Sequence, residues 1–424
     1  MSRNFLIVGA NFRNKGAQSM LFITVDELKK RVPGCNIYFA FNDVIDKSQL
    51  KFETLFYSKD SKIIALDYNP MRTIYVRIKR WCKDVIKYVI GQRNNLFCSN
   101  ETAQYFKDMD LVIDISGFCI GRKWASEDQE SYLNNIRLAK KYNIPIVLMP
   151  QSFGDFDYSK EQKYLLPQIE EWFKYPKMIF AREKDGYRDL TEKFHLSNVR
   201  LSTDLVLQNK GVDINNIYKK IPDIRLPEVE KNTVAIVPNM QCFDHGDKNK
   251  NLELYKVLVE YLISKGKKVY LFRHSKEDLE ICKKIAQQFG VGEDHKEITG
   301  VRTIYSNGNV VVLDNDFSCF EYDEFVKNFD FIICSRFHGV VHAYRNYIPC
   351  ILLGWAVKYK ELAENVGQGK YAFDITADNF DTNDVIMALE DLINNREAES
   401  AIIKNHVSEI QKHNCFDIIE ECLH

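Results

Sequence analysis

Three side chains in the last quarter of the chain could grip and protonate a small anion: Arg336, His338 and Lys358. A guanidinium presents a planar fork of donors to a phosphate or carboxylate, an ammonium a compact charge, and an imidazole a proton near neutral pH. Arg336 and His338 lie in Ser335-Arg336-Phe337-His338-Gly339, directly after the apolar run Phe331-Ile332-Ile333-Cys334. That run is short and β-prone and reads as a buried strand. Residues 340–346 read as a short helix, closed by Tyr347-Ile348-Pro349 because the residue before a proline avoids the helical region. Residues 350–353 form a second buried strand, Gly354 opens a loop, and Lys358 precedes a helix over 359–366 stopped by Gly367. Two successive strand ends therefore deliver the three cations to one rim, and open α/β sheets bind ligands at the carboxyl ends of their strands. The plainer alternative is an Arg336 that caps a helix and a His338 satisfied in the core. Three such groups at neighbouring strand ends favour the anion site.

The elements that must hold these groups repeat along the chain. Phe5-Leu6-Ile7-Val8 is a first strand, residues 9–18 a glycine-bearing turn, and residues 19–31 a helix. A turn of this kind places a ligand at a helix N-terminus, which makes Asn14 and Gly16 binding candidates; a plain strand-to-helix turn is the alternative. The turn is neither GxGxxG nor a P-loop. Strands follow at 36–41 and 62–66. The strand at 111–115 ends in Ser116-Gly117-Phe118, where Asp114, Ser116 and Gly117 could face a ligand or Asp114 could cap neighbouring N–H groups. A helix over 128–142 leads to a strand at 145–149 ending in Pro150-Gln151-Ser152. A helix over 161–173 is kinked or divided by Pro167. A strand at 178–181 carries Arg182-Glu183 at its end, and residues 199–201 lead to Ser202-Thr203-Asp204.

Strand, polar turn and helix in this alternation predict a doubly wound parallel sheet over residues 1–210. Residues 211–232 are polar, contain Pro222 and Pro227, and read as a linker. The pattern restarts over 233–383, with strands at 233–237, 268–272 and 310–313; the second of these ends at Arg273-His274-Ser275. Helices are expected over 252–264, 278–289 and 322–328. A helical tail, 384–424, is expected to pack back on the first domain. The fold class is α/β: two Rossmann-like domains facing a cleft.

With 424 residues, 45% hydrophobic and 28% charged, the chain is long enough for two or three domains with sizeable cores. A net charge of −1 gives no general pull toward nucleic acid. Eleven scattered cysteines without a CxxC pair argue against zinc or dithiol chemistry and suit a reducing cytoplasm. The N-terminal apolar run reads as a strand rather than a signal peptide, and no stretch nears the roughly 18 apolar residues of a membrane span. Residues 71–95 differ: seven Lys/Arg face the single acid Asp84, and Ile74, Ile78, Trp81, Val85 and Val89 recur at helical spacing. Such a basic amphipathic helix lies on an anionic membrane surface or packs its stripe on the domain. Asn100-Glu101-Thr102 is a glycosylation sequon, idle in a cytosolic protein.

Taken together, the turns resemble the polysaccharide pyruvyl transferase family. The matching pieces are Gly9 with Asn14-Lys15-Gly16-Ala17, Asp114 with Ser116-Gly117, Pro150 to Gly154, Ala181-Arg182-Glu183, Ser202-Thr203-Asp204, and the 335–339 block with Pro349 and Lys358. The family's second turn is usually a run of glycines, and here Phe118 narrows it. The resemblance implies a GT-B-like fold and phosphoenolpyruvate as pyruvyl donor. It also implies an acceptor sugar in a cell-surface glycan or its lipid-linked precursor, at the cytoplasmic face of the membrane. Arg336, His338 and Lys358 would hold the donor, with Arg182, Arg273 and Gln151 as further contacts. His338 would be the general acid and Asp114 the base, without metal or cofactor. A glycosyltransferase using a nucleotide sugar, with the cations on its diphosphate, is the alternative; a glycan-binding scaffold is a third.

Overall fold

Short runs of Val, Ile, Leu and Phe bounded by glycine and polar turns make strands buried on both faces, and such strands pair in parallel under covering helices. The computed structural model describes residues 2–41, 48–56, 105–299, 302–354 and 357–423. The expected strand at 62–66, the basic helix at 71–95 and the sequon at 100–102 lie outside the described residues.

The first sheet contains β1 (Asn4–Val8), β2 (Asn36–Phe41), β3 (Glu53–Phe56), β4 (Leu111–Asp114), β5 (Phe118–Ile120), β6 (Ile146–Phe153), β7 (Met178–Ala181) and β8 (Val199–Leu201). Its order is β3-β2-β1-β4-β6-β7-β8, with β5 paired to β6, all parallel. The second sheet contains β9 (Thr233–Val237), β10 (Lys268–Phe272), β11 (Lys296–Thr299), β12 (Arg302–Ser306), β13 (Val310–Asp314), β14 (Ile332–Cys334), β15 (Cys350–Gly354) and β16 (Ala372–Asp374). Its order is β11-β12-β13-β10-β9-β14-β15-β16. This sheet is parallel except at one edge, where β11, β12 and β13 run antiparallel. Strands β3, β5, β11, β12 and β16 are additions to those read from the sequence.

Both sheets reverse direction beside their first strand, between β1 and β4 and between β9 and β14. These are the switch points where two neighbouring connections leave on opposite faces and open a crevice. The turns after β1 and β4 therefore belong to one crevice, and the turn after β14, with Arg336 and His338, to the other.

Local signals set the helices that cover these crevices. Helix Lys15–Arg31 begins four residues earlier than its apolar period indicates, because the Asn14 side chain accepts from the N–H groups of Gly16 and Ala17. Helix Cys319–Val326 starts at a capping box, Ser318 with Glu321. Pro167 neither kinks nor divides its helix: Leu165–Trp172 begins two residues before it, and in the first turn its missing N–H costs no hydrogen bond.

One apolar cluster runs through the whole molecule. It joins Leu21 and Phe39 of the first sheet's layer, Phe272 and Tyr344 of the second, and Ile403 and Phe416 of the tail. The tail helix Thr382–Ile410 returns the chain to the first sheet's side, where Cys415 N–H donates to Gln208 Oε1 (3.1 Å) and Arg31 pairs with Asp417 (2.8 Å). No helix among the described residues is long and apolar enough to cross a membrane.

Candidate active site

The rim expected from the sequence forms around one aromatic ring. Helix Phe337–Arg345 starts immediately after β14, with Arg336 as its N-cap residue, so Phe337 and His338 occupy its first turn. Helix Val357–Asn365 carries Lys358 in its own first turn after β15. Phe337 is buried, with the Arg182 guanidinium 4.2 Å and the Lys358 ammonium 5.5 Å from its ring centre. Lys358 also stands 4.8 Å over Phe118. Cations on aromatic faces keep part of their solvation when water is excluded. Lys358 therefore stays positive at neutral pH, although burial, with Arg182 nearby, lowers its pKa to about 8.

His338 lies where the two sheets meet. Its ring packs on Gly16 so closely that a Cβ there would fall 2.0 Å from His338 Cγ. Gly16 is thus the residue that admits the ring, a different role from the ligand contact expected of it. His338 Nε2 is buried without a hydrogen-bond partner and lies 3.6 Å from Asp204 Oδ2. Burial, opposed by Asp204 and reinforced by Arg182, pushes His338 down to about 4, so the imidazole is neutral at pH 7. One helical turn later, His342 Nε2 lies 3.0 Å from Ser19 Oγ while its Nδ1–H is 2.7 Å from Asp323. Residues i and i+4 share a helix face. Gly16–His338 and Ser19–His342 therefore register the two halves against each other, joined by ion pairing of Lys15 with Asp316 and by Lys184 N–H donating to Glu361 (2.8 Å).

Several side chains expected to touch ligand instead brace the turns. Asp114 does not face the cleft: it is fully buried and accepts from Ser116 N–H (2.9 Å), Asn135 Nδ2 (3.1 Å) and Gln151 Nε2 (3.1 Å). Burial raises its pKa against those donors. Gln151 is held between Asp114 and the Tyr132 hydroxyl. Asn14 is occupied in capping its helix. Ser116 lies against Gly9, whose φ of 92° and lack of a Cβ let the two turns meet. Gly117, at φ 73°, offers its carbonyl to Ser152 N–H (2.8 Å) and Arg182 Nη2 (3.4 Å).

The arginines are committed too. Arg336 Nε and Nη2 donate to both oxygens of the fully buried Asp278 (2.8 and 2.5 Å), and Nη2 also meets Glu277 (2.6 Å). Through Nε and Nη2 its fork fixes the turn after β14. Arg182 donates to Asp204 (2.8 Å), Glu183 (3.1 Å), Ser152 Oγ (2.6 Å) and Gly117 O. Arg273 Nε donates to Asn315 O (3.1 Å), inside its own half. Lys358, His338 and Arg182 are the expected residues that the structure brings together at the seam. Asp204, Glu183 and Phe337 complete the cluster, and the motifs Ser202-Thr203-Asp204 and Ala181-Arg182-Glu183 at successive strand ends were their signal in the sequence. Among the described residues no group of three or more His, Cys, Asp or Glu could hold a metal ion.

Two twisted parallel sheets whose carboxyl edges meet at a seam define a GT-B-like protein. Solved structures of similar shape include the UDP-GlcNAc 2-epimerase of Methanocaldococcus jannaschii, with TM-score 0.52 and 13% identity over 92% of each chain. The S. aureus MnaA–UDP structure gives 0.52 and 11% identity over 95% of this chain and 90% of the other. An α-glucosyltransferase with UDP and a 13-mer DNA gives 0.50 and 13% over 100% of both. At these identities the likeness is one of fold. No curated protein sequence matches the chain significantly. The family is set by sequence. The model of the polysaccharide pyruvyl transferases matches residues 14–356, from the cap of the first helix to two residues before Lys358, and the chain belongs to that family of transferases.

Proposed function

We propose that the protein transfers the pyruvyl group of phosphoenolpyruvate to a sugar of a cell-surface polysaccharide or of its lipid-linked precursor. The supporting observation is the buried, unpartnered Nε2 of His338 beside Lys358 and the Arg182–Asp204 pair. Buried polar atoms are nearly always hydrogen-bonded, and one left open at a seam suits a ligand that completes it. Phosphoenolpyruvate carries a phosphate and a carboxylate on one small frame. Lys358 supplies the cation for it; Arg182 and Arg336 are each matched by two carboxylates.

Ketal formation needs a proton on the donor's methylene carbon. The resulting oxocarbenium-like centre is attacked by one sugar hydroxyl, phosphate leaves, a second hydroxyl closes the ring, and each hydroxyl gives up its proton. His338 is the acid in this reading. Burial holds it neutral in the empty site; a bound anion beside it raises its pKa and protonates it. Asp204, 3.6 Å from the same Nε2, then stabilises the imidazolium as a neighbouring negative charge. Neither a cofactor nor a metal is required in this reading, and reaction at the cytoplasmic face of the membrane would suit a lipid-linked acceptor.

A nucleotide-sugar glycosyltransferase is the second reading, favoured by the shape shared with UDP-containing structures. A thermal-shift screen separates the two. Phosphoenolpyruvate should raise the melting temperature where UDP-sugars do not, since a ligand in hundredfold excess over its Kd stabilises by about 2.7 kcal/mol. Stabilisation by UDP-sugars alone would select the second reading.

A further inference from the structure

A cavity of about 450 Å³ opens on the outer side of Lys358, along the same seam. Its walls come from both halves: Phe118, Glu183 and Asp189 from the first, Lys358, Glu361 and Asp374 from the second. Small-molecule sites begin at roughly 300 Å³, so one or two sugar rings fit. We propose that this cavity is the acceptor site, that it takes a neutral or amino sugar, and that it turns away sugars bearing a carboxylate. The proposal rests on the pyruvyl-transfer reading, which places the donor against Lys358.

The wall chemistry carries the selectivity. Lining carboxylates outnumber lining cations by six to four; Arg122–Asp155 (2.6 Å) and Arg188–Asp185 (2.7 Å) match within the wall and Glu183 is held by Arg182 (3.1 Å), which leaves Asp189, Glu361 and Asp374 beside Lys123 and Lys358. Ionised carboxylates only accept hydrogen bonds. Sugar hydroxyls and ammonium groups can donate to them; a uronate carboxylate cannot, and is repelled. Burial, in each case the largest influence, raises the pKa of both Asp189 and Glu361, the behaviour of carboxylates crowded away from water. Phe118 is half-buried and meets Trp124 edge-on at 5.6 Å, so its ring is fixed in the wall. A sugar ring has an apolar C–H face and a polar rim, and an aromatic wall ringed by acceptors matches both. The phenylalanine that interrupts the family's glycine run thereby gains a use: it supplies the apolar surface.

The test uses the full chain loaded with phosphoenolpyruvate, donor binding being followed separately by calorimetry. Methyl glucoside, the methyl glycoside of glucosamine and methyl glucuronide are compared by saturation-transfer NMR and by phosphate release. The first two should bind, with the glucuronide at least tenfold weaker. Combining Asp189→Asn with Glu361→Gln should narrow that ratio to within about threefold, and Phe118→Ala should weaken the glucoside at least tenfold. Equal binding of glucuronide and glucoside overturns the proposal, as does failure of all three glycosides to bind the donor-loaded protein, or a ratio unmoved by the double variant. Failure of phosphoenolpyruvate to bind in the calorimeter strikes the donor reading first and the acceptor assignment with it, so the two failures are told apart.

Discussion

Gly16→Ala should injure the protein where the same change normally helps. Within a helix, alanine is better than glycine by about 1 kcal/mol. Gly16 lies in the first turn of helix Lys15–Arg31 and outside the left-handed region, so the backbone accepts alanine. The obstacle is His338. An added Cβ would stand 2.0 Å from its Cγ, 2.2 Å from Nδ1 and 2.5 Å from its Cβ. Carbon atoms pack at about 3.5–4.0 Å, so ring and helix must separate by more than an ångström. Overpacking of this size costs roughly 1–3 kcal/mol. The net expectation is a stability between unchanged and about 2 kcal/mol lower, with turnover reduced as much as a hundredfold, because displacing a catalytic group by about 1 Å costs that much. Urea unfolding of the wild type, Gly16→Ala, His338→Ala and the double variant isolates the contact. With the ring removed, alanine should recover its helical advantage, giving a coupling of at least about 1 kcal/mol. An alanine equally stabilising in both backgrounds would show that His338 does not sit on Gly16.

His338→Gln removes the titratable proton while keeping a hydrogen-bonding side chain; turnover should fall by roughly 10²–10⁴ with donor affinity retained, and near-normal turnover would place the acid elsewhere. The same histidine shapes acid stability. Its folded pKa of about 4 lies below the ordinary histidine value of 6.5, so between those values the unfolded chain binds the extra proton and stability falls as pH falls. The loss, roughly 3 kcal/mol across that window at about 1.4 kcal/mol per pKa unit, should largely vanish from the urea midpoints of His338→Gln. Arg336→Ala strands the buried Asp278 carboxylate and should cost about 3–5 kcal/mol in unfolding experiments. A tenfold loss of donor affinity without destabilisation would instead return Arg336 to the donor site.

What the sequence showed was mainly what is local. The run from Phe331 to Cys334, the break at Pro349 and the apolar strands β1, β9 and β10 are each decided by a few neighbouring residues, and they fall where composition puts them. So does the delivery of His338 and Lys358 to adjacent strand ends. The roles of Arg336, Arg182 and Asp114 were not legible, because each depends on a partner from another part of the chain: Asp278, Asp204 and Gln151. A guanidinium at a strand end reads the same in sequence whether a ligand or a distant carboxylate answers it. The contacts of Gly16 with His338 and of Ser19 with His342 span the chain and leave no spacing to recognise. The antiparallel edge escaped for a different reason: Lys296–Thr299 alternates too briefly, and its Ile298 is 70% exposed.

Calorimetric titration of phosphoenolpyruvate into the wild type and into Lys358→Ala tests the donor site most directly. The wild type should bind, and the variant should lose at least tenfold in affinity, since a charge-assisted contact contributes about 1.5–3 kcal/mol. Wild-type binding should also weaken above about pH 8, where Lys358 gives up its proton. No heat of binding to the wild type, or equal affinity in Lys358→Ala, would contradict a donor site built on this seam.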